Sequence, residues 1–537
     1  MSESKLDRAG LLKKGGALGA GAVAAGALGG PAGAARRRTA ATPKKGGQVT
    51  WALEQDPGHI APFGGILTMT WVAQQPMYES LLYWDKNLNV KPALATGYVV
   101  RDSKTIDFNL RKGVKFHNGQ EFTSADAVYS FNNILNPPAP GSVSTLGQVP
   151  AIAGTEARGK YVLRMHLKAP DARIFGFLAW NRYSAMVPDG MYQQVNAATQ
   201  GIGTGPYKLN GSYVPNDHVN YVRNPQYWDK THPYLDAINY KIIPDEQARI
   251  AALRAGAIDG ATVSVDSANS LKGQNGLKVL AGLTAAFREL QFTLKDGGNE
   301  PWRDKRVRQA INHAINRQNI ISKVYNGDGQ FSGHVPPTYG PYPMSQADLK
   351  NKYEKYDVAM AKKLMAAAGQ SKGFSIKLST FSTPLDFAAV AALIQNDLKQ
   401  INVDVQIVAQ DPATFAANNG KGDFELDLTA RGMRGDVDGY TAEFNPSGPL
   451  GKTVYTTWFD GYKNVQMWRL VGNGRIQLNT SKRLPMYKQL EGILLDECLE
   501  IPLIAVSKYQ VVTNKLNDMY VSFTDANVGL VRNAWMA

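Results

Sequence analysis

Residues Asp357 to Ile407 read DVAMAKKLMAAAGQSKGFSIKLSTFSTPLDFAAVAALIQNDLKQINVDVQI and alternate between two periodicities. Asp357 is placed to cap a helix carrying Ala361, Leu364, Met365 and Ala368 on one face, Gly369 ends it, and Ser375 to Ser379 then alternates as a strand. A second helix, with Phe387, Val390, Ala391, Ile394, Leu398 and Ile401 on one face, leads into the alternating Val403, Val405 and Ile407. Helix followed by strand, twice, predicts an α/β fold with helices covering a sheet.

The same periods extend in both directions. Upstream, Val307, Ala310, Ile311, Ala314, Ile315, Ile321 and Val324 form an apolar stripe on a helix predicted to begin near Arg303. Downstream, Leu490, Leu494 and Cys498 share a face of the helix predicted over Met486 to Glu500. That placement reads as a buried structural thiol, and a single cysteine admits no internal disulfide. In the first half, Gln48 to Leu53 alternates as a strand, and Thr105 to Phe116 is extended. Thr123-Ser124-Ala125-Asp126 resembles a capping box opening a helix that Pro137-Pro138 stops, and Tyr161 to Leu167 alternates again.

A chain of 537 residues exceeds one compact core and amounts to roughly three to four domain-sized units. With 44% hydrophobic and 19% charged residues it has ample apolar material to fold. The net charge of +14 raises nucleic acid, an anionic membrane or an acidic ligand as partners. Half of it, however, sits in residues 1–47, where nine basic side chains face only Glu3 and Asp7. In the body the charges mix, as in Arg303-Asp304-Lys305-Arg306, which reads as a solvated surface and not a nucleic-acid groove.

The basic residues Lys5, Arg8, Lys13 and Lys14 precede an uncharged stretch from Gly15 to Ala35, and Ala32-Gly33-Ala34 offers a small-residue cleavage site. This is the layout of a secretory signal. Its start resembles a twin-arginine export signal in which Ala9 replaces the second arginine of Asp7-Arg8-Ala9-Gly10-Leu11-Leu12-Lys13. No cysteine follows the apolar stretch, so lipid attachment there is not expected. Export to the periplasm or cell surface is the expectation.

Motifs for chemistry are weak. Gly369-Gln370-Ser371-Lys372-Gly373 has the bare G-x-S-x-G pattern, but a helix precedes it and a strand follows, the reverse of a nucleophile elbow. Gly201-Ile202-Gly203-Thr204-Gly205-Pro206 lacks the spacing of a dinucleotide loop and reads as backbone turning. The seven histidines show no metal-ligand spacing. Neither a cofactor nor a metal is expected.

Three segments together carry a resemblance. The first is Leu94 to Ser130, with Leu110-Arg111-Lys112-Gly113-Val114-Lys115-Phe116-His117-Asn118-Gly119 at its centre. The second is Gly203-Thr204-Gly205-Pro206-Tyr207, followed by Arg223-Asn224-Pro225-Gln226-Tyr227-Trp228 and by Ala251 to Asp259. The third is Val307 to Arg317. In order and spacing the chain resembles the family 5 extracellular solute-binding proteins, the peptide, nickel and oligosaccharide receptors of bacterial ABC importers.

The resemblance implies a two-lobed, periplasmic-binding-protein-like fold of class II, Venus-flytrap type. Lobe one would take 48–90, 202–295 and 506–537, an extra subdomain of that lobe 91–201, and lobe two 296–505, after a signal and linker over 1–47. Ligand would lie between lobes that close by a hinge, for delivery to an ABC permease, with no covalent chemistry and the protein acting as a monomer. In peptide-binding relatives an Asp pairs with the peptide ammonium, and Asp436 matches its position. Arg431 or Arg434 would meet a carboxylate, and Met433 stands where an aromatic residue is common. Asp438 shares the segment and offers an Asx turn, as Asp436 does, while Tyr440 and Trp458 would supply stacking surface. An oligosaccharide is the rival ligand within the class. From another class, the alternative is a secreted hydrolase using Ser371 or a carboxylate pair.

Overall fold

The two helix–strand units predicted after Asp357 are present and pair as neighbours. This computed structural model describes residues 42–537 apart from 64–67, 87, 137–150, 295–297, 383–385 and 522–527. The signal segment up to residue 41 and the Pro137-Pro138 stop lie outside the described residues. Asp357 accepts from the Met360 amide at 2.9 Å to open the helix Val358–Ala367, and Gly369 turns the chain with φ 75°. The strand Phe374–Phe381 then runs parallel to Val403–Gln410, Ile376 opposite Val405, with the helix Asp386–Lys399 crossing between them.

Among the described residues eleven strands form one mixed sheet. One end is built from Val403–Gln410, Phe374–Phe381 and Leu426–Arg431, the other from Gln48–Leu53, Ala237–Ile242, His218–Arg223 and Tyr207–Leu209. Two long antiparallel strands, Leu277–Phe292 and Glu500–Thr513, join the ends. Their ladder runs from Leu277 opposite Thr513 to Leu283 opposite Ser507, breaks, and resumes with Phe287 opposite Ala505. On one side of the break the partner strand is Gly260–Val263, on the other Leu426–Arg431. Thr284 to Ala286 therefore lies at the break in the ladder, where the flanking partner strand changes.

Separate hydrophobic cores follow the same division. One gathers Trp51, Phe108, Phe116, Tyr221 and Tyr240, with a small satellite around Leu253, Leu271 and Val511; the other gathers Phe287, Ile311, Ile394, Leu428 and Tyr440. The extra subdomain is a four-stranded antiparallel sheet ordered Ala95–Asp102, Thr105–Leu110, Val162–Leu167, Ile152–Ala157, packed by the helix Ser124–Leu135. The Asp126 carboxylate accepts from both the amide and the hydroxyl of Thr123, each at 2.8 Å, as the capping signature predicts. The architecture is the two-lobed α/β fold with a subdomain on the first lobe.

Three local readings change. The predicted single helix from Arg303 is two, Lys305–Ala314 and Arg317–Val324, because Asn316 caps a new start by accepting from the Asn319 amide at 3.0 Å. The extended block from Thr105 ends at Leu110, and the remainder turns. Gly203 and Gly205 are required by close approach instead of by turning: a β-carbon on Gly203 would overlap the Met77 carbonyl oxygen, and one on Gly205 would crowd the Pro76–Met77 backbone.

Candidate functional site

The first two signature segments meet one another inside lobe one, while the third, Val307 to Arg317, packs into the core of lobe two. The Arg111 guanidinium lies 4.1 Å over the Trp228 ring, and the His117 amide and Nε2 bind the carbonyls of Gly203 and Gly205 at 2.9 and 3.1 Å. Thr204, Tyr227 and Trp228 all donate to the carboxylate of Glu79, whose pKa burial nevertheless raises. These residues lock the two stretches of chain that flank the subdomain.

The cleft forms where the end of the strand Leu426–Arg431 faces the helix Arg173–Leu178 of the subdomain. The contact is tight. The Ala172 amide donates to the Arg475 carbonyl at 2.7 Å, and a β-carbon on Gly176 would overlap the Gly435 carbonyl oxygen. Met433, on the lobe-two side, packs against the lobe-one core. The lobes are thus in contact across this face.

Beside that contact is a slot of about 50 Å³ between Arg173, Phe177, Trp180 and Tyr183 on one side and Arg434 and Asp436 on the other. Trp180 is shared with a chamber of about 330 Å³ lined by Trp71, Trp84, Tyr78, Glu79 and Arg532. A third opening of about 390 Å³, reaching Tyr98, Phe175, Tyr342 and Arg483, shares Asp436 with the slot and Trp84 with the chamber. The chamber and the third opening are in the size range of small-molecule sites. Trp180 packs its ring against Trp71, Trp84 and Tyr183 at centroid distances of 5.4, 5.5 and 4.8 Å.

Of the sequence-predicted site residues, Asp436, Arg434 and Met433 come together at the cleft. Asp436 is held by Arg483, whose two terminal nitrogens grip both carboxylate oxygens, and it accepts from the Asp438 amide at 2.8 Å. Burial pushes its pKa up, but the Arg483 charge and hydrogen bonds outweigh this and hold it below the usual carboxylate value. Arg434 follows the cleft wall with its side chain against Gly439; its amide donates to Tyr440 Oη at 3.1 Å and its carbonyl accepts from Tyr339 Oη at 3.1 Å. Among the described residues no carboxylate pairs with its guanidinium.

Of the other four, Arg431, Asp438 and Tyr440 lie in the interior and Trp458 is half-buried against the lobe-two core. Arg431 is 4% exposed and held by Glu289, Glu443 and Glu500; burial opposes its charge, yet the three carboxylates drive its pKa well up. Asp438 is fully buried, pairs with Arg475 at 2.9 Å and accepts from Tyr487 at 3.2 Å, with its pKa raised by burial. Tyr440 is fully buried, and its hydroxyl donates to the Ala285 carbonyl at 2.9 Å, tying the cleft segment to the break in the long ladder. Trp458 donates to the Asn419 carbonyl at 2.7 Å and edges against Phe424. Sequence reasoning missed Arg173, Trp180, Arg475 and Arg483, which reach the cleft from chain far from residue 436; the only advance signal was an aromatic and arginine density in Phe175 to Tyr183.

Ser371 occupies an exposed turn between a helix end and a strand start, where the Asn402 amide group binds its carbonyl, with no histidine partner among the described residues. Cys498 is buried, and burial pushes its thiol up to about 12. Among the described residues no cluster of three His, Cys, Asp or Glu is arranged to hold a metal, and no helix is long and apolar enough to cross a membrane.

Residues 89–461 match the family model described as "Bacterial extracellular solute-binding proteins, family 5 Middle". The chain is 26% identical over 483 residues to the oligopeptide-binding protein AppA of Bacillus subtilis, covering 85% of each. It is 25% identical over 486 residues to the glutathione-binding protein GsiB of Escherichia coli K12, covering 87% of this chain and 92% of that one. Among solved structures, AgaA of A. tumefaciens R10 in complex with agropinic acid superposes with a TM-score of 0.70 at 25% identity, over 91% of this chain and 99% of that one.

Proposed function

The chain belongs to the bacterial extracellular solute-binding proteins of family 5, and from that premise we propose that it captures a short peptide or similar small solute in the interlobe cleft and presents it to its ABC permease. Members of this family are extracytoplasmic transport receptors and not enzymes. The basic and apolar N-terminal segment serves as the export signal. Binding energy comes from the aromatic and charged walls around Trp180 and Arg434, and closure about Thr284 to Ala286 encloses the solute.

The observation that carries this reading is the cleft itself. A slot bounded by the subdomain and the end of Leu426–Arg431 shares its Trp180 wall with a chamber of ligand size, within a chain matching the family model over 89–461. The test is mass spectrometry of the small molecules released by denaturing protein purified from its native host. A peptide or comparable solute recovered at one equivalent supports the receptor reading. Recovery of none, with no thermal upshift from any peptide, organic acid or sugar, sinks it.

A further inference from the structure

The acidic residues at and behind the slot are already paired with arginines, and the chamber's Glu79 is instead held by the neutral donors Thr204, Tyr227 and Trp228. Asp436 is gripped by Arg483, Asp438 by Arg475, and Asp171 by Arg173 at 2.6 Å. Three carboxylates thus meet three guanidiniums, and Arg434 is the charge left over on the slot's lobe-two wall. A solute ammonium arriving at Asp436 would have to displace a two-point ion pair that is largely removed from water. A solute carboxylate arriving at Arg434 breaks no ion pair among the described residues, the buried Glu289 acting on that guanidinium only at longer range.

The chamber behind Trp180 supplies the rest of the chemistry. Its walls are dominated by Trp71, Trp84, Trp180 and Tyr78, so it suits a planar or apolar body. Three buried polar atoms of its lining residues, Tyr78 Oη, Gln75 Oε1 and Trp180 Nε1, have no hydrogen-bond partner. Native interiors seldom leave such atoms unpaired, and a polar group on an enclosed solute is a natural partner for Gln75 Oε1 and Trp180 Nε1, whereas Tyr78 Oη lies against Gly201, which is outside the chamber lining.

Resting on the receptor reading above, we propose that the protein recognises a carboxylate-bearing solute with an aromatic or apolar body, the anion meeting Arg434 in the slot and the body filling the chamber between Trp71, Trp84 and Trp180. The head group is selected by Arg434 and not by Asp436. A peptide would accordingly be held by its carboxyl end, with its amino end free of a required contact.

The test uses two matched sets of probes against the exported protein: indole-3-acetate, indole-3-acetamide and tryptamine; and Ala-Ala-Phe as the free acid, the N-acetyl acid and the carboxamide. Thermal upshift and calorimetry are expected to rank both acids of the peptide set together above the amide, and indole-3-acetate above its neutral and cationic analogues. Arg434→Gln is expected to lower affinity for the acids by about ten- to a hundredfold, the scale of one charged hydrogen bond, with unchanged circular dichroism. Trp180→Phe keeps the ring stacking and removes the indole donor, and is expected to weaken the aromatic acids by a smaller factor. Equal or tighter binding of amide or amine, or acid affinity indifferent to Arg434→Gln, overturns the proposal. So does a non-anionic solute released from protein of the native host, a result that leaves the receptor reading intact; the absence of any released ligand together with no thermal upshift from any peptide, organic acid or sugar removes both.

Discussion

Arg483 grips both carboxylate oxygens of Asp436, with Nη1 2.8 Å from Oδ2, although the two residues stand 47 positions apart. The helix Thr480–Glu497 brings the arginine to the cleft segment, its Thr480 and Arg483 lining the opening that Tyr98 and Phe175 face from the other lobe. The pair converts a residue that would serve as a ligand anchor into part of the cleft's frame. Its energetic worth lies mainly in what breaking it exposes, since a single partner removed leaves a buried charge unmatched.

Asp436→Asn is therefore expected to destabilise the ligand-free protein by about 3 kcal/mol, the low end for opening a buried pair, as read by denaturant unfolding. The pH dependence has a definite sign. Asp436 has a lowered folded pKa, so its stabilisation is present above the unfolded value of about 3.9 and is lost as pH falls through the folded value. The difference between wild type and Asp436→Asn should persist from pH 7 to pH 5 and shrink only below about pH 4. A difference that vanishes already at pH 6 would contradict the pairing.

Gly176 is predicted to be the residue that permits closure. A β-carbon there would strike the Gly435 carbonyl oxygen, which is backbone and cannot swing aside. Gly176→Ala should leave the separate cores of the lobes intact while holding the lobes apart. Small-angle scattering should report a larger radius of gyration than wild type, and affinity for any ligand should fall by at least about tenfold, or 1.4 kcal/mol. An unchanged radius together with unchanged affinity would show that the two segments separate without cost.

The α/β class was legible because the residues near Asp357 and Phe387 carry helical and strand periods with caps that act locally. Two kinds of feature were not. Asn316 splits the helical stripe that runs from Val307 to Val324 through a side-chain cap, and the stripe alone cannot register such a cap. In the cleft, Asp436 was legible by position, but whether it is free depends on Arg483, and Arg431 lost its role to three glutamates brought from 289, 443 and 500. Tertiary pairing of charges leaves no trace in local spacing.

Buried carboxyls set a second pH dependence of opposite sign. Burial raises Glu491 to about 8 and Asp427 to about 7, so the folded state retains protons that the unfolded chain has released at neutral pH. Stability should fall as pH rises from about 4.5 towards 8, by at most about 1.4 kcal/mol per unit for each group. Glu491→Gln removes one contribution, so its stability relative to wild type should climb with pH over that window and level off above pH 8. A flat difference from pH 5 to pH 8 would mean Glu491 is ionised in the folded state.

Cys498 lies 3% exposed at the end of the helix Thr480–Glu497, and its thiol donates to the Leu495 carbonyl at 3.1 Å. With its pKa pushed up to about 12, the thiolate is scarce at neutral pH as well as enclosed. A chromogenic disulfide reagent at pH 8 should find no reactive thiol in the native protein and one after denaturation. Rapid native labelling would mean that this helix end opens locally.

The two arginines that flank Met433 should separate cleanly by their variants. Arg431 is enclosed by Glu289, Glu443 and Glu500 beneath the cleft, so Arg431→Gln leaves three carboxylates without their cation. Part of that charge can be relieved by proton uptake, since burial already raises the pKa values of Glu289 and Glu500. The expected result is a loss of about 3 kcal/mol or more of stability, larger at pH 8 than at pH 5, with the ranking of acidic over neutral solutes retained wherever the variant folds. Arg434 has its backbone tied by Tyr339 and Tyr440 and its half-buried side chain in no ion pair among the described residues, so Arg434→Gln should cost no more than about 1 kcal/mol of unfolding free energy, well below the Arg431 variant. It should nevertheless abolish the preference for an anionic head. Parallel unfolding curves and binding titrations on the two variants decide the assignment: loss of selectivity in Arg431→Gln with stability retained would place the recognition charge two layers deeper than the cleft wall.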